Sequence, residues 1–559
     1  MNIRRSSSSQ EQTSNVSSTD PSRIFESEPS SEKHGVISSI NLLNFGVPLL
    51  LSIAVGISQL TTPGAISGLT AYDDGVYMGA ALQWVNGSWP YRDFVFLHPP
   101  GIILLMSPIA LLAKFTGTGN GLAIARVCTE LFSTINVLLA VELVRRHGRV
   151  AALITGTLTA LFPLAVANSS TLTLEPYLVC CVLIGLVALV RAISNLNFNR
   201  WLWVSGVFFG FAGLVKIWAF FPFIAVSICT VIWFARSSIR FFVGALLAFG
   251  IPALPFIVLG PGNFYHDVIV DQVVRQASVF QQASLAGRLF DILGFPGLGT
   301  SWLTPTFAEI AALAGVAAIV LAFWLDSRAP QRGDVLLIVV TISAIACLVV
   351  GREFQLYYSY FSAPFIAISF GVVVHKICRG AESRWNLWSR LHFDARWFRV
   401  ALAMLVVVGA AALVSQDFSY QRQFIENNLR GNNGSVAQPG AIVSLIIPSG
   451  ACAISDSPGV LILGNRYLSN TPGCPAIVDP YGMFLALNGG VEPPNISVPV
   501  TAFTDRWMAY FREAQYVVLT FPFSDYVPWT TALEQWFNQN YTLISSSPFA
   551  YIYEHRNSP

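Results

Sequence analysis

Long apolar runs separated by short polar connections dominate the chain from residue 40 to residue 415. A helix needs about 20 apolar residues to cross a bilayer core of roughly 30 Å, and the run at 40–60 has that length. Similar runs predict further spans at 121–144, 150–167, 177–194, 201–215, 217–235, 241–259, 303–325, 334–350, 361–378 and 398–415. The pattern therefore predicts a polytopic α-helical membrane protein with about eleven transmembrane helices.

The two ends of the chain have a different pattern. Residues 1–36 are rich in Ser, Gln, Glu and Pro, which predicts a disordered tail. After residue 416, short β-like runs alternate with helical patterns near 505–514 and 531–538. The β-like runs are 460–463, 476–478, 516–520 and 549–553. We therefore divide the chain into a tail (1–36), a membrane domain (37–415) and a small α/β domain (416–559).

Lysine and arginine in the short connections predict the orientation, because they concentrate in cytoplasmic loops. One side of the predicted bundle receives Arg4, Arg5, Arg145, Arg146, Arg149, Arg200, Arg236, Arg240, Arg328, Arg332 and the basic run 376–399. This side is predicted to be cytoplasmic, together with the N-terminus. The loop 61–120 and the 416–559 domain are then predicted to lie outside the plasma membrane.

The loop 61–120 contains two candidate helices that are too short to span. An apolar helix at 101–114 would place the 145–149 basic cluster outside if it crossed the membrane, so we predict that it lies in the outer interface. The preceding helix, 74–85, carries an i, i+4 stripe suited to the same position. The stripe consists of Tyr72, Val76, Ala80 and Trp84.

Composition narrows the class of protein. The chain is 54% hydrophobic and 11% charged, whereas soluble domains average about 25% charged residues. It has no zinc-like Cys/His spacing, Walker A loop, dinucleotide fingerprint or basic stripe, so no nucleic-acid partner is predicted. Cys452 and Cys474 lie in the polar C-terminal part and could form a disulfide in an oxidising compartment.

Ionisable residues cluster in the segment 72–101, YDDGVYMGAALQWVNGSWPYRDFVFLHPPG. It contains the acidic pair Asp73 and Asp74, then Arg92 and Asp93, then His98 followed by two prolines. Charged groups are costly near hydrocarbon, so a cluster at the membrane surface predicts a functional site.

An acidic pair in the first outer loop, an interfacial helix, an HPP element and a second interfacial helix resemble the GT-C superfamily. These integral-membrane glycosyltransferases use polyprenyl-phosphate-linked sugars. They include protein O-mannosyltransferases, lipid A aminoarabinose transferases and actinobacterial arabinosyl- and mannosyltransferases. The resemblance covers the membrane domain as an order of motifs, and the loosely similar tail at 447–482.

The resemblance implies the site residues. Asp73 and Asp74 match the motif that supplies the catalytic base, and Glu175 stands at a second acidic position; these are the implied catalytic residues. The implied substrate-binding residues are His98, Arg126, Lys216, Arg352, Tyr357 and Tyr358. Tyr358 occupies a place where the family usually has His. No metal ligand is implied, and a divalent metal is left open.

These residues fit a reaction that needs a carboxylate base and cations near a leaving phosphate. The predicted function is an inverting transfer of a mannose- or arabinofuranose-type sugar from a polyprenyl-phosphate donor at the outer face. The acceptor is a glycan, lipoglycan or protein, and membrane lipids are further partners. Asp73 is favoured over Asp74 as the base.

Simpler interpretations stay open at this point. Asp73 could cap a helix, Asp74 could complement its dipole, and Lys216 and Arg126 could reach lipid headgroups. His98, Glu175 and Arg352 could be ordinary loop residues, and the tyrosines part of an aromatic belt. The alternative function is a lipid or glycan transporter or flippase.

Overall fold

The computed structural model describes residues 31–162, 170–194, 197–274, 284–295, 304–326, 329–351, 353–388, 409, 438–487, 501–522, 524 and 526–556. The helices up to residue 274 are α1 Ser31–Leu60, α2 Tyr72–Val85, α3 Gly101–Thr116, α4 Thr118–Val144, α5 Arg149–Ala160, α6 Glu175–Ser194, α7 Phe198–Val215, α8 Phe220–Phe234, α9 Ile239–Leu259, α10 Pro261–Tyr265 and α11 Asp271–Val274. The later helices are α12 Leu285–Ile292, α13 Pro305–Leu325, α14 Arg332–Val350, α15 Ser359–Trp388, α16 Pro439–Ile446, α17 Pro458–Leu463, α18 Pro480–Leu487, α19 Thr501–Glu513 and α20 Thr531–Asn540.

Helices occupy the predicted span positions wherever the structure describes them. Within the described residues, six stretches are long and apolar enough to cross a membrane, and one of them joins α8 and α9. The span predicted at 398–415 lies outside the described residues apart from Gly409, so the count of eleven stays a prediction. Most of the predicted tail is also outside them, but its last residues, 31–36, begin α1.

Small residues bring α7 and α9 into close contact. A Cβ added at Gly206 would lie 2.1 Å from the carbonyl oxygen of Phe241, and one at Gly210 would lie 2.2 Å from that of Ala245. Backbones approach this closely where membrane helices meet through small residues. The close contact between α7 and α9 therefore fixes the position of α7, and Lys216 directly follows this helix.

The stripe predicted on α2 is not exposed, and the position of this helix at the membrane interface stays a prediction. Residues 74–83 are all buried, so no face of this part of the helix is left for lipid. At its end, the Trp84 ring lies 4.4 Å from that of Trp89 and 4.9 Å from that of Phe256. Both tryptophans are partly buried and pack against the core. The stripe did not predict the burial of α2, because the C-terminal domain covers part of this helix. That contact cannot be predicted from the residues of α2 alone.

The C-terminal domain contains a four-stranded sheet in the order β1-β2-β4-β3. Its strands are β1 Ala453–Ser455, β2 Tyr516–Leu519, β3 Tyr541–Ser547 and β4 Ala550–His555. β1 and β2 are parallel, whereas β4 is antiparallel to both β2 and β3. The sheet and α19 enclose an apolar core that includes Trp507, Phe511 and Val517. An α/β character is thus confirmed for the described part of 416–559.

Individual predictions in this domain had mixed outcomes. Strands at 516–520 and 549–553 and helices near 505–514 and 531–538 are confirmed. The predicted strand 460–463 is instead part of α17, whose first residue is Pro458; short apolar runs do not distinguish buried strand from buried helix. The segment 476–478 forms no strand. Cys452 and Cys474 are joined in the predicted disulfide.

The C-terminal domain packs directly on α2, in the 61–120 segment. A Cβ at Gly75 would lie 2.3 Å from the amide nitrogen of Gly459, so α2 and α17 touch through backbone. The Tyr72 hydroxyl donates to Asp479 Oδ1 over 3.0 Å and accepts from the Tyr481 amide over 2.9 Å. The C-terminal domain therefore contacts α2, the helix that carries the acidic pair.

Candidate active site

Asp74 is enclosed by hydrogen-bond donors in the protein interior. Its Oδ2 accepts from Arg126 Nη2 over 2.5 Å, from Arg126 Nε over 3.0 Å and from the Thr70 hydroxyl over 2.6 Å. Its Oδ1 accepts from the Leu172 amide. The Asp74 side chain is 1% exposed and that of Arg126 is fully buried. These contacts give Asp74 a structural role and leave it no open face for a substrate.

Arg126 also contacts the chain just before α2. Its Nη1 donates to the carbonyl oxygen of Ala65 over 3.1 Å and to that of Ile66 over 2.6 Å. The guanidinium therefore joins α4, the 65–66 turn and the first turn of α2. A buried arginine with these partners does not reach lipid headgroups, so the snorkelling interpretation is wrong for Arg126. Its predicted contact with substrate stays untested, but its donors are directed at protein.

Asp73 faces a different environment from its neighbour. It is half-buried, and its Oδ2 accepts a hydrogen bond from the Tyr357 hydroxyl over 2.9 Å. Successive helical residues point about 100° apart, which explains why the two acids diverge. The residue that caps α2 is Ala71, not Asp73. The capping interpretation of Asp73 is therefore wrong.

Tyr77 lies one helical turn after Asp73, and His98 lies beside Tyr77. The Tyr77 hydroxyl is 3.3 Å from His98 Nε2, and the Tyr91 hydroxyl donates to the His98 carbonyl over 2.5 Å. Burial raises the pKa of Tyr77 well above its usual value, and the nearby carboxylates of Asp73 and Glu175 raise it further. Tyr77 therefore stays a neutral phenol at physiological pH. Tyr77 was not among the residues predicted from sequence, although it lies one helical turn after Asp73.

Lys216 forms a buried ion pair with Glu175. Lys216 Nζ lies 2.7 Å from Glu175 Oε1, with side-chain exposures of 4% and 1%. The same nitrogen lies 3.5 Å from the Trp218 ring centroid and 4.4 Å from that of Tyr358. Lys216 has extended backbone dihedrals just after α7, and Glu175 is the first residue of α6. Two helix ends thus bring together the acid and the cation, at positions 41 residues apart.

The predicted site residues fall into three groups. The first group gathers around the N-terminal ends of α2 and α6 and the C-terminal end of α7: Asp73, His98, Glu175, Lys216, Tyr357 and Tyr358. Asp74 and Arg126 form the second group, an internal ion pair beside it. Arg352 lies outside the described residues. Burial and the Asp73 carboxylate also raise the pKa of Tyr357, which favours its role as a hydrogen-bond donor to Asp73.

An apolar groove opens beside Lys216. It has a volume of about 670 Å³ and lies between α7, α8 and α9. Its walls include Phe209, Trp218, Phe220, Phe221, Phe223 and Phe249. Trp218 is shared between the groove and the cation–π contact with Lys216. The groove has apolar walls that suit a hydrocarbon chain; Trp218 was not predicted from sequence.

A second cavity, the polar cavity, lies between the 91–95 segment, the 263–267 segment and the C-terminal domain. Its volume is about 340 Å³. The ionisable residues in its walls are Arg92, Asp93, His266, Asp267, Asp479 and Arg506. Burial and the charges of Asp271 and Asp479 raise the pKa of Asp267 to about 7, although the Phe96 amide opposes this shift. The cavity has the polar walls needed to hold a hydroxyl-rich molecule.

Comparisons with known proteins agree with the predicted superfamily. Residues 97–258 match the family described as dolichyl-phosphate-mannose-protein mannosyltransferase. The fold is similar to that of ArnT from Cupriavidus metallidurans bound to undecaprenyl phosphate, with a TM-score of 0.58 and 15% identity over 91% of this chain and 98% of that one. No curated protein matches the sequence significantly.

A second solved structure has the same fold. It is the archaeal oligosaccharyltransferase AglB from Archaeoglobus fulgidus in complex with an inhibitory peptide and a dolichol-phosphate. The TM-score is 0.53 and the identity 13%, over 88% of this chain and 70% of that one. The helical membrane fold that the resemblance implies is therefore shared with both solved structures.

Proposed function

We propose that this chain, whose fold is that of the GT-C superfamily, is an inverting glycosyltransferase that uses a polyprenyl-phosphate-linked sugar. The observation that carries the proposal is the position of Asp73. It is the half-buried acid of the pair, it accepts a hydrogen bond from Tyr357, and it follows Tyr72, which is hydrogen-bonded to Asp479 in the wall of the polar cavity. The sugar is of the mannose or arabinofuranose type, and transfer takes place at the outer face of the plasma membrane.

Asp73 acts as the general base in this proposal. It takes the proton of an acceptor hydroxyl while the hydroxyl oxygen attacks the anomeric carbon and the bond from that carbon to the phosphate oxygen breaks. One direct displacement inverts the configuration of the anomeric carbon. A positioned base of this kind typically contributes about 10²–10⁴-fold to the rate. The Tyr357 hydrogen bond holds the carboxylate in place for this step.

The groove and Lys216 suit a lipid-phosphate donor. The aromatic walls would hold the polyprenyl chain, and the phosphate would lie where Trp218 and Lys216 meet. An ammonium acts on phosphate as a point charge, which stabilises the negative charge that develops on the leaving group. Undecaprenyl phosphate in ArnT and dolichol-phosphate in AglB are ligands of this chemical class in proteins of similar fold.

The polar cavity suits the acceptor. It lies between the first outer loop and the C-terminal domain, and Asp479 in its wall is hydrogen-bonded to Tyr72, one residue before Asp73. Carboxylate and guanidinium groups in one cavity can bind several hydroxyl groups at once. A glycan, lipoglycan or protein could present such a hydroxyl to Asp73. The 416–559 domain thus serves as the acceptor-side wall of the site.

The decisive experiment measures the lipid product. Purified protein in detergent is incubated with a defined polyprenyl-phosphate mannose or arabinofuranose and a glycan extract, and released polyprenyl phosphate is quantified. We expect release that depends on both the donor and the acceptor. A transporter or flippase would move the donor across a vesicle membrane without consuming it, and that outcome would overturn the proposal.

The first prediction concerns the proposed extracytoplasmic location of the C-terminal domain. A reporter that is active only in the cytoplasm should stay silent when fused after residue 559, because the basic connections predict an extracytoplasmic C-terminal domain. The same reporter fused within the 145–149 connection should be active. A strong signal from the C-terminal fusion would contradict the topology and place the site on the wrong side.

The second prediction concerns Lys216. It separates the structural role of this residue from its role in the use of the donor. Lys216→Met alone leaves the Glu175 carboxylate buried without its cation, which should destabilise the protein. Lys216→Met combined with Glu175→Gln should recover most of the stability. If Lys216 binds the phosphate, the double variant should still use the donor poorly.

Michaelis constants for the donor, measured with thermal unfolding of each variant, distinguish these effects. Charge-assisted hydrogen bonds contribute about 1.5–3 kcal/mol, so the double variant should lose roughly ten- to a hundredfold in kcat/KM for the donor. Glu175→Gln alone is the matched control, because it keeps Lys216. Wild-type donor use by the double variant would remove Lys216 from the phosphate site.

A further inference from the structure

Three potential metal ligands lie close together in the helical segment that follows α10. His266, Asp267 and Asp271 each offer one ligand atom, and these atoms all lie within 4.8 Å of one another. His266 Nδ1 is 3.4 Å from Asp271 Oδ2 and 3.8 Å from Asp267 Oδ1. The two aspartates are 1% and 5% exposed, whereas His266 is 42% exposed. Two buried carboxylates therefore share one imidazole at the edge of the protein.

A π-helical turn produces this arrangement. Residues His266–Val270 form a π-helix, and α11 continues from Asp271. Hydrogen bonding from i to i+5 widens the turn, so that residues five apart come closer to alignment than they do on an α-helix. His266 and Asp271 are five residues apart. Such single π turns are frequent at functional sites, and this one brings a nitrogen and a carboxylate oxygen to one point.

We propose that His266, Asp267 and Asp271 bind a zinc ion. Zinc takes His nitrogen and Asp oxygen ligands at about 2.0–2.2 Å, and two such ligands at a tetrahedral angle stand roughly 3.4 Å apart. The observed separations of 3.4 and 3.8 Å therefore need only a small adjustment. Three protein ligands leave a fourth position, and His266 and Asp267 line the polar cavity that can supply it.

The zinc site would hold the outer loops together. Asp267 Oδ2 accepts from the Phe96 amide over 3.4 Å, and the Gln272 amide donates to the Leu97 carbonyl over 2.9 Å. The first contact comes from the Phe96 backbone N–H and the second from the Gln272 side-chain Nε2. Both attach the 266–272 segment to the residues just before His98. The ion would neutralise the two carboxylates at this junction. Zinc should therefore stabilise the folded protein, because it binds the folded state and not the unfolded chain.

Calorimetry with the intact, tag-free protein tests the inference. The protein in detergent is stripped with a chelator, dialysed and titrated with zinc chloride, in the absence of donor and acceptor. We expect one zinc per chain. His266→Gln and Asp271→Asn should each weaken binding at least tenfold. Addition of zinc should raise the Tm of the wild-type protein and leave the Tm of both variants unchanged.

Asp93→Asn is the matched control. It removes a carboxylate from the wall of the same cavity but from outside the ligand set, so zinc affinity and the zinc-dependent rise in Tm should equal those of the wild type. Because His266 is partly exposed, His266→Gln should fold, which gel filtration verifies. No zinc binding by the wild type, or equal binding by His266→Gln, would overturn the assignment. Neither outcome bears on Asp73, since this measurement needs no sugar transfer.

Discussion

Asp73→Asn should lower sugar transfer by about 10²–10⁴-fold, because the amide keeps the size of the carboxylate but cannot accept the acceptor's proton. Expression, thermal stability and donor binding should change little. Asp73 is not the helix cap and takes no part in the buried ion pair of Asp74. Release of polyprenyl phosphate from a defined donor, measured under single-turnover conditions, gives the rate.

Tyr357→Phe is a useful companion variant. It removes the donor that orients Asp73 and keeps the ring, so transfer should fall by less than in Asp73→Asn. The two losses should not add in the double variant, since both act through one carboxylate. Near-wild-type transfer by Asp73→Asn would mean that this carboxylate is not the base.

Asp74→Asn should fail by unfolding rather than by slow chemistry. The change leaves the Arg126 guanidinium buried without a counter-charge, and breaking a buried ion pair in this way typically costs about 3–5 kcal/mol. Asp74 also accepts from Thr70 and Leu172, so part of the network around the first outer loop is lost. We expect a lower yield and a lower Tm for the purified variant.

A second variant separates the charge from the space that it occupies. Asp74→Leu combined with Arg126→Met replaces the pair with apolar side chains, and such replacements are often neutral or stabilising. Its Tm should exceed that of Asp74→Asn. Arg92→Gln is the control for an exposed pair, since Arg92 and Asp93 lie at the surface and should contribute little. Wild-type stability of Asp74→Asn would show that the pair is not needed for the fold.

Asp73 and Asp74 are adjacent, but substitution of the first should affect the rate and substitution of the second should affect stability. This difference shows what could be predicted from the sequence and what could not. The DD motif located the site, and the family resemblance favoured Asp73. Which acid faces the site depends on partners that are distant in the chain: Tyr357 is 284 residues from Asp73, and Arg126 is 52 residues from Asp74. Nothing in the local pattern of 72–85 contains that information.

Arg126 and Lys216 illustrate a second limit. As isolated cations at the ends of apolar runs, both were predicted to contact the lipid phosphate. The structure places Arg126 behind the site, with Asp74, and Lys216 beside the groove, with Glu175 and Trp218. A cation's position along the chain gives its depth in the membrane, but its partners follow from how helices pack.

The sequence by itself determined the helical membrane class, the positions of most of the described apolar helices and the pairing of Cys452 with Cys474, and it indicated the candidate site in the 61–120 segment. These follow from apolar length, local motifs and the small number of cysteines in the polar part, all of which are readable along the chain. Only the tertiary structure decided which acid is half-exposed, that α2 is buried, and that the C-terminal domain reaches it through Tyr72 and Asp479, 407 residues apart. The reason is physical: burial and ion pairing are properties of side chains brought together by packing, whereas membrane-span length is a property of consecutive residues.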